Sequence, residues 1–256
     1  MNELGGAKAG LEQWRFGDLW RRFKFAAYLL AVLPAFPAVA GDAFAGQRQN
    51  TAAQNATAKG DPHDFAVNIF RDRPQSWPGY GVYLGDGMVL SAAHVVGHSL
   101  MGNPSVAIAG RILEAQVVKE GEFETVDLTL LRIDVRQLPP SLGLRLMPIC
   151  ESVPLAGQPV IVVTPQAVST SHILSPKALP SNLQGRFDTL IADVATTGNS
   201  GSGVFDPTGP CLMGIISRKI QIGVTPRQDP GAKPQMVDLA KYFVPAAQIL
   251  QFIKPD

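Results

Sequence analysis

The run Thr197-Gly198-Asn199-Ser200-Gly201-Ser202-Gly203 sets one serine hydroxyl, Ser200, among closely spaced glycines. Acyl-transfer chemistry asks for such a stretch: a nucleophilic hydroxyl on a turn tight enough for backbone N–H groups to converge on one point and hold a developing alkoxide. Gly198 frees the backbone so that its own N–H and that of Ser200 can form this oxyanion hole. A Gly/Ser-rich surface loop has the same composition, so the remainder of the chain must decide. A serine hydroxyl is a poor nucleophile until a neighbouring base takes its proton, and a base and its partner must therefore come from elsewhere.

The chain that positions this turn has 256 residues, 46% of them apolar and 17% charged, with 21 prolines and 25 glycines. That describes a loop-rich globular protein with ample core. A net charge of +1 marks neither a nucleic-acid surface nor a polybasic membrane patch. Neither Cys150 and Cys211 nor the scattered His63, His94, His98 and His172 show metal-type spacing, so no metal or cofactor is expected.

Near the N-terminus, Arg21-Arg22-Phe23-Lys24 leads into an uncharged stretch, residues 25–40, that carries Pro34 and Pro37 and ends in small residues. This is the pattern of a secretory signal. At 16 residues it is shorter than the roughly 20 that span a bilayer, the alternative being a membrane anchor. Cleavage is expected after Ala40 or Ala45, giving a signal over residues 1–45 and a periplasmic or secreted product with no stable membrane span. The charged lead before Arg21 is long for a signal. Residues 46–64 hold almost no large apolar side chain and are expected to form a flexible lead.

From Phe65 onward short β-type runs alternate with Gly and Pro. They fall at 65–70, 79–84, 88–91, 105–109, 113–119 and 128–133, break at Pro139-Pro140, and resume at 159–164, 171–174, 189–194, 203–205, 212–218 and 236–239. Gly85-Asp86-Gly87 reads as a hairpin turn. Such strands, without long helical periodicity, predict an all-β protein of the barrel or sandwich type. Residues 244–253 form the one convincing helix, with Pro245 in its first turn and Ile249, Leu250 and Ile253 on one face.

Three motifs stand in the order His, Asp, Ser: Ser91-Ala92-Ala93-His94-Val95-Val96, Val126-Asp127-Leu128-Thr129-Leu130-Leu131, and Gly198-Asn199-Ser200-Gly201-Ser202. Each resembles the matching motif of the chymotrypsin-like (trypsin-like) serine proteases, and the resemblance extends by order and spacing over residues 65–253. It implies two six-stranded antiparallel β-barrels, over residues 65–140 and 141–256, the second carrying the C-terminal helix. It implies a serine endopeptidase acting on polypeptides, with His94 as base, Asp127 holding its ring, and Ser200 as nucleophile. The chain order differs from that of α/β-hydrolases, where the acid follows the serine and precedes the histidine. By the same resemblance Cys150 and Cys211 are expected to bridge, two separate buried thiols being the other reading. A disulfide suits an exported protein.

Departures from the digestive enzymes narrow the expectation. Asn199 stands where they carry an aspartate that pairs with a newly freed N-terminus, so activation by N-terminal cleavage is not expected. The Asn-Ser-Gly-Ser arrangement is closer to bacterial glutamyl-endopeptidase-like and HtrA-like members, although a complete HtrA protein with its PDZ segment is not expected. The resemblance puts Val194 and Ala195 near the floor of the primary specificity pocket and Ser217, Arg218 and Lys219 on the strand that pairs with substrate. No acidic residue lies at that floor, which disfavours Arg or Lys as the preferred substrate residue. Arg218 and Lys219 either favour an acidic substrate residue or face solvent, and His172 is either a contributor or a surface histidine. Lys219 replaces the usual pocket-lining glycine, which leaves a protease-fold binding protein with a closed pocket as the alternative function.

Overall fold

The computed structural model describes residues 60–71, 78–99, 102–192, 199–209, 211–225 and 233–254. The expected signal and most of the expected lead lie outside them. The end of that lead is structured: Asp61 caps a 3-10 turn over Pro62–Phe65, Asp64 pairs with Arg145, and Phe65 is buried.

Among the described residues twelve strands follow. β1 (Ala66–Phe70), β2 (Gly79–Gly85), β3 (Met88–Ser91), β4 (Ser105–Ile108), β5 (Arg111–Glu120) and β6 (Thr129–Ile133) close into one antiparallel barrel in the order β1-β2-β3-β6-β5-β4. β7 (Pro159–Val163), β8 (Val168–Leu174), β9 (Leu190–Ile191), β10 (Gly203–Phe205), β11 (Leu212–Val224) and β12 (Gln235–Pro245) close into a second, in the order β10-β11-β12-β9-β8-β7. The architecture is therefore the double six-stranded barrel. Closure leaves no sheet edge to aggregate, and inward residues such as Val67, Ile69, Val82, Val89 and Leu131 fill the first barrel.

One apolar cluster joins the barrels: Phe205, Leu212, Ile215 and Val244 of the second pack with the core of the first. At the same seam Cys150 N donates to the Leu212 carbonyl at 3.0 Å, and Cys150 and Cys211 form a disulfide with Cα atoms 5.1 Å apart. The short helices are α1 (Ala93–Val96) and α2 (Pro140–Gly143), while α3 (Ala246–Ile253) ends the described chain.

Two expectations shift at this stage. β11 runs six residues beyond Arg218, to Val224, because it pairs with β12 along almost its whole length. That pairing also draws Val244 and Pro245 into the strand, so the helix starts at Ala246 with Pro245 as its N-cap residue. Ile249 of α3 is buried, and Phe252 and Ile253 pack on the first barrel's core cluster. Among the described residues no helix is long and apolar enough to cross a membrane.

Candidate active site

His94 sits on the single turn of α1, immediately after β3. The turn is held from below by Arg71 at the end of β1, whose Nε donates to the Val95 carbonyl at 3.0 Å and whose Nη2 donates to the His94 carbonyl. Arg71 escaped the sequence reading, since nothing local ties it to a histidine 23 residues away.

Asp127 precedes β6 and is 2% exposed. Its Oδ1 accepts the His94 backbone N–H at 3.0 Å, and its Oδ2 meets His94 Nδ1 at 2.8 Å and accepts the Ser217 hydroxyl at 2.6 Å. Burial alone would raise the carboxyl's pKa; the bonds from the His94 ring, the Ser217 hydroxyl and the His94 amide outweigh it and hold the value below the ordinary 3.8. An ionised carboxylate only accepts, so Nδ1 is the ring nitrogen that carries a proton toward Asp127, and Nε2 is left free of the carboxylate.

Ser200 occupies a turn stitched to both barrels. Gly201 N donates to the Ile216 carbonyl at 2.8 Å, Ile216 N to the Ser202 carbonyl at 2.9 Å, and Tyr80 N of β2 to the Ser200 carbonyl at 3.2 Å. Gly201 has φ of +85°, and a Cβ there would lie 1.9 Å from the Tyr80 carbonyl oxygen. Only glycine lets the two barrels approach this closely. Ser202 is fully buried with its hydroxyl on the Asn199 carbonyl, which leaves Ser200 as the accessible hydroxyl of the pair. Ser200 Oγ donates to the Ser217 carbonyl at 3.3 Å; no hydrogen bond joins it to His94 among the described residues.

The specificity candidates part company. Val194, Ala195 and Gly198, the last expected to line the oxyanion hole, lie outside the described residues. Ser217 is buried beneath Asp127, so its hydroxyl serves the carboxylate. Arg218 lies with its guanidinium carbon 3.8 Å from the Phe123 ring centroid and donates from Nη2 to the Phe123 carbonyl. Lys219 Nζ binds Asp238 Oδ2 of β12 at 2.7 Å. His172 is exposed on β8. Phe123 was not foreseen; its only sequence signal is a lone aromatic in Gly121-Glu122-Phe123-Glu124, shortly before Asp127. A cleft of about 770 Å³ beside His94 is lined by Val96, His98, Glu120, Phe123 and Glu124 among others.

Residues 79–215, more than half of the chain, match the family model of the trypsin-like peptidase domain. The chain belongs to the trypsin-like peptidase family. The family is one of serine endopeptidases, and this trypsin-like peptidase shares its double-barrel fold with solved structures of low sequence identity. A serine endoprotease from Yersinia pestis is 24% identical, with a TM-score of 0.51 over 74% of this chain and 61% of that one. The MamO protease domain from Magnetospirillum magneticum is 20% identical, with a TM-score of 0.50 over 76% of this chain and 98% of that one. Kallikrein-related peptidase 10 is 19% identical, with a TM-score of 0.51 over 74% and 93% of the two chains. The trypsin-like peptidase thus spans about three fifths of the Yersinia chain. No curated protein sequence matches it.

Proposed function

We propose that this chain hydrolyses polypeptides through an acyl-enzyme, with Ser200 as nucleophile, His94 as general base and acid, and Asp127 as the group that orients the imidazole. The observation that carries the reading is the buried Asp127 carboxylate bonded at 2.8 Å to His94 Nδ1, which leaves the other ring nitrogen, Nε2, to act as base. Substrate entry draws the Ser200 hydroxyl from the Ser217 carbonyl to Nε2. Oγ then attacks the scissile carbonyl carbon as Nε2 takes its proton, and the N–H groups of Gly198 and Ser200 hold the oxyanion. The imidazolium returns the proton to the leaving amine, which departs as the acyl-enzyme forms. Water attacks the ester with His94 again as base, releasing the acid and restoring Ser200.

The signal-like N-terminus and the disulfide support export to the periplasm or medium. One observation favours the second reading, a binding protein on a protease fold: the Ser200 hydroxyl lies on the Ser217 carbonyl instead of on the base. Labelling by a fluorophosphonate probe separates the two. Wild type should label and cleave casein-type substrates, Ser200→Ala should do neither while melting normally, and Ser202→Ala should still label. Failure of wild type to label would favour the binding protein.

A further inference from the structure

Five side chains drawn from both barrels, the imidazole among them, close a ring. His94 Nδ1 bonds Asp127 Oδ2 at 2.8 Å, Asp127 Oδ2 accepts Ser217 Oγ at 2.6 Å, and Ser217 Oγ accepts Arg218 Nε at 3.3 Å. The Arg218 guanidinium covers the Phe123 ring, and that ring returns to His94 edge-on, with centroids 5.3 Å apart and planes at 76°. His94, Phe123 and Asp127 belong to the first barrel's part of the chain, Ser217 and Arg218 to the second.

Each link restricts a freedom the others leave open. The Asp127 bond fixes Nδ1, but rotation of an imidazole about its terminal torsion is soft, and the His94 side chain is 32% exposed. Phe123 is the ring packed against that imidazole. Phe123 is itself 39% exposed, so burial alone holds it weakly. Arg218 grips it twice, by stacking on its face and by a hydrogen bond to its carbonyl. The Nε bond acts on the other arm. A hydroxyl whose oxygen accepts from Arg218 directs its single proton to Asp127.

We propose that Arg218 is a positioning residue for the base: it holds Phe123 against the imidazole and aims the Ser217 hydroxyl at Asp127. The guanidinium is committed inside the protein and does not read acidic residues of a substrate. Lysine cannot replace it, because an ammonium lacks the planar fork needed to stack and bond in two directions. The proposal rests on His94 being the base.

The test compares Arg218→Lys, Arg218→Met, Phe123→Leu and Arg218→Met/Phe123→Leu, using two peptides that differ by Glu or Gln on the acyl side of the cleaved bond. A misplacement of about 1 Å among reacting groups can cost 10²-fold. A tilt of the ring should therefore lower kcat roughly tenfold in each single variant, equally for both peptides, with KM nearly unchanged. The double variant should be little worse than the worse single one, because both break the same ring. A KM rise confined to the Glu peptide would overturn the proposal in favour of substrate recognition, and unchanged kcat in Arg218→Met would overturn it outright. A readout independent of turnover uses Ser200→Ala protein with ¹⁵N-labelled histidine. The His94 Nδ1–H resonance should be sharp there and broadened when Arg218→Met is added; an equally sharp signal in both would refute the positioning role. If wild type neither labels nor cleaves, the peptidase reading fails, and the resonance alone decides whether Arg218 holds the ring.

Discussion

Gly201→Ala would drive a methyl into the seam that seats Ser200. The new Cβ would stand 1.9 Å from the Tyr80 carbonyl oxygen and 2.7 Å from Ser91 Oγ, whereas real Cβ contacts are essentially never under 3.0 Å. Relief of the first contact needs a shift of about 1.1 Å, taken as 3.0 less 1.9. Tyr80 pairs with Asn68 of β1 and its carbonyl accepts the Ser91 hydroxyl of β3, so the shift falls largely on the Ser200 turn. Left-handed backbone in a non-glycine residue costs ~1–2 kcal/mol, and overpacking adds ~1–3 kcal/mol. Gly157, with φ of +84° and no atom within 4 Å of its added Cβ, supplies a control that carries the first cost alone. At about 2–4 °C per kcal/mol, Gly157→Ala should lower Tm by roughly 2–8 °C and Gly201→Ala by clearly more. A displacement of this size should also lower kcat/KM about 100-fold in Gly201→Ala, with Gly157→Ala close to wild type. Thermal melts and fluorophosphonate labelling rates measure the two effects. Equal melting and equal labelling of the two variants would refute the claim that close approach of the barrels positions the nucleophile.

The Asp127 carboxyl, held below 3.8 in the folded protein, contributes stability that is present above the unfolded value and lost as pH falls through the folded one. The Tm advantage of wild type over Asp127→Asn should therefore be full near pH 6 and shrink below about pH 4; an advantage that grows on acidification would contradict the bonding described. The Cys150–Cys211 bridge closes a separation of 61 residues, for which chain entropy gives about 4 kcal/mol. Reductant should lower the Tm of wild type and leave Cys150→Ala/Cys211→Ala unchanged, while a wild type indifferent to reductant would count against the bridge's contribution.

The sequence alone was enough to determine where most strands lie, because alternation of apolar residues and punctuation by Gly and Pro are local properties. The Gly85-Asp86-Gly87 turn and the order His94, Asp127, Ser200 were legible for the same reason: each motif is a few contiguous residues. Contacts between distant segments decided the rest. Alternation says which face a residue takes, not what it meets there, so Ser217 read as part of the substrate-pairing strand and Arg218 as facing either substrate or solvent, whereas barrel closure sets them on Asp127 and Phe123, 90 and 95 residues away. The helix start moved because β12 keeps pairing with β11 through Pro245, and strand pairing outweighs the preference of proline for a first helical turn. Arg71 and Phe123 gave almost no signal on their own. Their positions acquire meaning only where tertiary packing brings them against the His94 turn and ring, since a hydrogen bond or a stacked ring depends on proximity that sequence spacing does not encode.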